Sequence, residues 1–134
     1  FENVELPLFD QRIPSEERRT RTTEALARVG LTQVMHHKIP ELSGGEQQRV
    51  AIARAMVHKP KLILADEPTG NLDSKNSQHI QALLMDLHKT MQVTLLIVTH
   101  DEKFAAEADR TLILQDGALV GEKKNERIAR YAVR

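Results

Sequence analysis

Leu62-Ile63-Leu64-Ala65-Asp66-Glu67-Pro68-Thr69 is the stretch on which the fold turns. Its four apolar residues are too few for a helix and stand between Pro60 and Asp66-Glu67-Pro68, which predicts a strand buried on both faces, as in a parallel sheet. Downstream, Asp73 or Ser74 caps a long helix whose Ile80, Leu83, Leu84, Leu87 and Met91 recur at spacings of three and four on one face. A second apolar run, Thr94-Leu95-Leu96-Ile97-Val98, predicts another buried strand and leads through Thr99-His100-Asp101 into a helix ending at Ala108. Strand, helix, strand, helix, strand is the alternation of an α/β fold, whose ligands sit beyond the carboxyl ends of the strands. Two polar groups stand there: Asp66-Glu67 after the first strand and His100 after the second.

Working outward, Ser15 as N-cap with Glu16 and Glu17 in the first turn predicts a helix over about 16–29, ended by Gly30. A short turn follows Thr32, and Pro40 interrupts before Leu42-Ser43-Gly44-Gly45, which opens a helix from Glu46 to Val57 that Pro60 stops. Towards the end of the chain, Asp116-Gly117 joins 111–114 to 118–120 as a hairpin, and residues 122–134 are charged and expected to form a fraying helix.

Composition narrows the function classes. With 19 Lys+Arg against 19 Asp+Glu and a formal charge of zero, no global field draws the 134-residue chain onto nucleic acid or anionic lipid. Three Phe, one Tyr and no Trp are too few for a base-stacking platform. The absence of cysteine excludes disulfides and thiolate sites and is compatible with a reducing compartment. No apolar run approaches the roughly 20 residues needed to span a bilayer, so a soluble chain is expected.

The chemistry-bearing groups are individually weak and jointly specific. An acid pair at a strand end is more often a cap than a catalyst, although Asp66 could hold a Mg²⁺ hydration shell and Glu67 could orient a water. A lone His100 is more often a satisfied polar group, and the other five histidines show no metal-like pairing. Ser43-Gly44-Gly45 at a helix start offers backbone N–H groups, a dipole and a hydroxyl, the makings of a phosphate site or of a plain N-cap.

Taken in order, Leu42-Ser43-Gly44-Gly45-Glu46-Gln47-Gln48-Arg49, Leu62 to Thr69, Gly70-Asn71-Leu72-Asp73 and Thr99-His100-Asp101 resemble the signature motif, Walker B strand, D-loop and switch histidine of the ATP-binding-cassette (ABC) ATPases. The resemblance covers nearly the whole chain and, in Phe1 to Leu8 and Asp66 to Ser74, is strongest to the ATPases of lipoprotein-release and macrolide-export systems. It implies an incomplete P-loop NTPase fold: a helical subdomain with the signature helix at 1–58, part of the catalytic core at 59–121 and a charged tail at 122–134. None of the six glycines opens a GxxxxGK[ST] motif. A chain that begins at Phe1 without a P-loop is therefore expected to be part of something longer, with a parallel sheet lacking the P-loop strand between the His100 strand and 111–114.

By the same resemblance, Ser43, Gly44, Gly45, Glu46, Gln47 and Asp73 would belong to the ATP-binding surface, with the Ser43 hydroxyl and the Gly45 amide contacting the γ-phosphate of ATP held by a second subunit. Asp66 would hold Mg²⁺, Glu67 would act as general base, His100 would bond the γ-phosphate, and Asp73 would link the two sites of a head-to-tail dimer. The implied function is the ATPase subunit of a transporter, lying on the cytoplasmic face of the inner membrane, driving a separate permease and binding no nucleic acid. The isolated chain is expected to be inactive. A translation or DNA-repair ATPase, or a degenerate regulatory cassette, is the alternative.

Overall fold

The computed structural model describes residues 1–125. Helix α1 (Glu2–Glu5) and a 3₁₀ stretch (Leu6–Gln11) open the chain and are followed by α2 (Ser15–Arg28), two single 3₁₀ turns and α3 (Gly44–Met56). The alternating part comprises β1 (Leu62–Asp66), α4 (Ser74–Met91), β2 (Thr94–Val98), α5 (Glu102–Ala105), β3 (Arg110–Gln115) and β4 (Ala118–Lys124). Strands β1 and β2 pair in parallel, from Leu62 opposite Thr94 to Asp66 opposite Val98, with α4 as the crossover between them. That is the expected βαβ unit.

One hydrophobic cluster joins the helical part to the alternating part. Val4, Leu8, Leu26, Leu31, Ile52, Ala53, Ile63, Ile80, Leu84, Leu87, Val93 and Phe104 all belong to it. Helix α4 supplies three of these side chains, Ile80, Leu84 and Leu87, all at 2 % exposure or less. Its N-terminus is capped by Asp73, whose carboxylate accepts from the Asn76 N–H at 2.9 Å. Gln92 ends the helix with a left-handed φ of 52°. Truncating Leu84 to Ala would open a cavity at the centre of this cluster, a change worth about 2–5 kcal/mol.

Several expectations are corrected. Ser15 is the first helical residue of α2, and Pro14 occupies its N-cap position without a side-chain bond. Helix α3 starts two residues before Glu46, because Ser43 caps it and both glycines lie inside its first turn. Helix α1 gives no periodic signal in the sequence, being one turn long. The expected helix to Ala108 is only Glu102–Ala105, and residues 122–124 belong to β4 rather than to a helix, with 126–134 outside the described residues. The turn at Asp116 and Gly117, with φ of 50° and 77°, is the hairpin turn expected there.

The strands are buried on one face, not on both. Ile63 is 6 % exposed, whereas Leu62 and Leu64 on β1 and Leu96 and Val98 on β2 are 50–69 % exposed. An apolar run signals a strand meant for two covered faces, and the described residues cover only the face towards α4. Nor does the third strand join the sheet: β3 pairs antiparallel with β4, as a separate two-stranded sheet. Among the described residues β2 has no second partner, on the side where a P-loop strand was expected.

Candidate functional site

The carboxyl ends of β1 and β2 bring Glu67 and His100 together. Being in parallel register, the two strands end side by side, and the Glu67 N–H donates to the Val98 carbonyl at 2.9 Å. The chain then turns sharply: Glu67 takes φ of 43°, a left-handed conformation that an L side chain adopts only at a cost of about 1–2 kcal/mol. Its carbonyl accepts from the Gly70 N–H at 3.1 Å, so both neighbours hold the strained turn in place. The carboxylate Oε1 accepts from the His100 backbone N–H at 3.1 Å and from His100 Nδ1 at 2.9 Å. Hydrogen bonding to Glu67, then its charge, raise the His100 pKa above the ordinary histidine value. With Nδ1–H committed to Glu67, the protonated ring of this 83 % exposed histidine has Nε2–H left to offer an anion.

Asp66 lies exposed at the end of β1, one residue before the turn. Among the described residues no group of three His, Cys, Asp or Glu is gathered closely enough to hold a metal ion. A single exposed carboxylate suits a Mg²⁺ that arrives with phosphate and water oxygens of its own, not a resident metal caged by protein.

Ser43, Gly44, Gly45, Glu46 and Gln47 lie together at the start of α3. Ser43 and Glu46 make a reciprocal capping box: the Ser43 N–H donates to Glu46 Oε2 at 2.8 Å, and Ser43 Oγ accepts from the Glu46 N–H at 3.4 Å. The Ser43 hydroxyl also donates to Glu46 Oε2 at 2.7 Å, and these bonds lower the Glu46 pKa. Gln47 folds its amide back onto the carbonyls of Ile39 and Leu42, at 3.1 and 3.0 Å, fixing the loop before the helix. Ser43 and Gly44 are exposed and Gly45 is buried against α4. A cavity of about 430 Å³ separates this helix from the turn after β1, with Gly44, Gln47 and Arg54 on one wall and Glu67, Gly70 and Asn71 on the other. Ser43 itself is not among its lining residues, whereas its neighbour Gly44 and Glu67 both are.

Asp73 stands at the N-terminus of α4. Besides the Asn76 N–H it accepts from Asn76 Nδ2 at 2.6 Å, and these bonds hold its carboxyl below the usual range.

The model of the ABC transporter family matches residues 1–70. The chain belongs to the ABC transporter family. It is part of an ABC ATPase domain, similar to the lipoprotein-releasing system ATP-binding protein LolD of Pseudomonas fluorescens at 55 % identity over 90 % of this chain and 53 % of that protein. The ABC transporter ATP-binding protein YvrO of Bacillus subtilis is 49 % identical over 94 % of this chain and 55 % of the relative. Among solved structures, the dimeric bacterial ABC transporter cassette MJ0796 superposes with a TM-score of 0.79 at 46 % identity, covering 92 % of this chain and 55 % of that one. A post-hydrolysis state of the same cassette, bound to ADP and Pi, matches equally well at 0.79. The chain spans about half the length of the curated relatives it matches.

In this ABC ATPase segment two contacts lie beyond what the motifs convey. Asn76 is the neighbour that confines Gly45, and Gln81 donates to Asp101 Oδ2 at 2.9 Å across 20 residues of sequence. Asn76, three residues after an N-cap aspartate, is legible as its capping partner. The Gln81 contact has no sequence signal, because it depends on how α4 lies beside the end of β2. Among the described residues no helix is long and apolar enough to cross a membrane.

Proposed function

We propose that the chain supplies the hydrolytic half of the ATP site, and the signature half of the opposite one, in a head-to-tail pair of ABC cassettes that drives a separate permease. One observation carries this reading: the bond from His100 to Glu67 at the carboxyl ends of β1 and β2, on the edge where an α/β sheet receives its ligand. Glu67 orients and deprotonates the attacking water with the carboxylate oxygen that His100 leaves unused. His100 donates Nε2–H to the γ-phosphate. Asp66 would hold the Mg²⁺ that accompanies ATP, which neutralises phosphate charge when bound. The Ser43 hydroxyl and the Gly45 N–H meet the γ-phosphate held by the other cassette, with Gly44, Glu46 and Gln47 forming the helix start around them, and Asp73 links the two sites.

The dimeric state of the similar MJ0796 cassette supports the pairing, and its ADP-and-Pi-bound form supports the ligand. The names of LolD and YvrO favour a transport motor over a translation or repair ATPase, and the proposed place of such a motor is the cytoplasmic face of the inner membrane, beside its permease. Since the 134 residues include no GxxxxGK[ST], they do not hydrolyse ATP by themselves.

The test is Glu67→Gln in a full-length cassette carrying these residues. Turnover should fall at least a hundredfold, as expected for loss of a general base, while ATP binding persists and ATP-bound dimers accumulate on gel filtration. Normal steady-state hydrolysis would remove Glu67 from the reaction.

A further inference from the structure

We infer that Gln81 is a positioning residue for the switch histidine, clamping the loop 99–101 to helix α4; this rests on the role proposed for His100. Asp101 is the pivot of the loop. Its Oδ1 accepts from the Lys103 and Phe104 N–H groups at 2.9 and 3.1 Å, capping α5, and its own N–H donates to Thr99 Oγ1 at 3.1 Å. The remaining oxygen, Oδ2, accepts from Gln81 Nε2 at 2.9 Å. Both carboxylate oxygens are thereby engaged, one by the helix that follows His100 and one by the helix that precedes β2.

Helix α5 has only four residues and is anchored in the core by Phe104, at 2 % exposure. So short a helix holds no fixed direction alone. Gln81 is what ties its cap to α4, whose Ile80, Leu84 and Leu87 are buried in the same core. The bond is charge-assisted and spans elements 20 residues apart, so it restrains the loop where a local turn would not. His100 is the residue between the two anchored groups, Thr99 and Asp101. Its N–H and its ring both bond Glu67, and Gln81 fixes the backbone on the far side of it, at Asp101. The same helix carries Asp73 at its N-cap, eight residues or about two turns earlier, so the D-loop and the switch loop share one rigid support.

The experiment compares Gln81→Met, Gln81→Glu and Glu67→Gln in a full-length cassette carrying these residues. Methionine keeps the length and helix preference of glutamine but removes the donor. It should lower kcat about tenfold with the KM for MgATP changed less than about twofold, the signature of a misplaced reacting group rather than of lost binding. The His100 titration, followed by NMR, should move towards that of an unpaired histidine. Gln81→Glu should be at least as impaired at neutral pH, where two carboxylates face each other, and should recover as the pH falls and the introduced carboxyl, once protonated, donates in place of the amide. Wild-type kcat in Gln81→Met, with Glu67→Gln inactive, would overturn the clamp and leave the proposed function standing. Normal turnover in Glu67→Gln would instead overturn that function. If kcat falls only in proportion to the folded fraction, with no move in the His100 titration, Gln81 is a stability residue and the inference fails.

Discussion

The side-chain oxygen of Asn76 lies 2.8 Å from the point a Cβ on Gly45 would occupy. Glycine at this position of α3 is therefore a demand of packing against α4, in addition to any ligand's need for close backbone approach. Asn76 cannot swing aside freely, since its amide and its backbone N–H both bond Asp73.

Gly45→Ala should accordingly lower stability by about 1–3 kcal/mol, the usual effect of overpacking, and loosen the cap that holds Asp73. Asn76→Ala alone loses the amide bond to Asp73 but clears the space. Combining the two should destabilise less than the sum of the singles, measured by chemical denaturation. Strict additivity would mean that Gly45 does not feel Asn76.

The turn at Glu67 predicts an inverted preference between glycine and alanine. At an ordinary position alanine is the more stabilising, but at φ of 43° its Cβ is strained. Glu67→Gly should exceed Glu67→Ala in stability by about 1 kcal/mol, and in a full-length cassette carrying these residues both should lack turnover. The opposite order would show that the left-handed turn is not maintained.

The His100–Glu67 pair gives a pH dependence of definite sign. Because the folded pKa of His100 is raised, the folded state holds its proton more tightly than the unfolded chain. The stabilisation is complete below the ordinary histidine value of about 6.5 and is lost as pH rises through the higher folded value. NMR titration should place the His100 midpoint above the ordinary histidine value, and Glu67→Gln should bring it down. An unshifted His100 in the parent, or an unchanged shift in the variant, would refute Glu67 as the cause.

What the sequence conveyed and what it hid divide along one physical line. Much of the local chemistry was legible: the cap at Asp73, the Asp116-Gly117 turn and the strand–helix–strand order express backbone preferences within a few residues, although the cap expected at Ser15 fell to Pro14 and the helix after His100 proved a single turn. The strand ends that carry Glu67 and His100 followed from that order. Contacts between distant segments were not legible, as Gln81 with Asp101 and Asn76 with Gly45 show. The strands were misjudged for a related reason: an apolar run records how many faces a strand is built to bury, not which neighbours in these 134 residues cover them.

That mismatch yields the last prediction. Leu62, Leu64, Leu96 and Val98 share one face of the β1–β2 sheet, alternating with the inward Ile63, Ala65, Leu95 and Ile97. Leu64 and Leu96 are direct cross-strand partners at 69 % and 54 % exposure. A contiguous apolar face beside an unpaired strand edge favours self-association. The 134-residue chain should therefore bind a hydrophobic dye and form oligomers at micromolar concentration. Replacing Leu64 and Leu96 with Thr, which keeps strand preference, should shift sedimentation towards monomer with little change in helical circular dichroism. In a full-length cassette whose remaining residues pack on this face, the same pair of changes should destabilise by about 2–5 kcal/mol, since the lost methyls then leave a cavity. A monomeric, dye-negative parent chain would show that this face needs no cover, and an unaffected full-length variant would show that nothing in the larger protein packs on it.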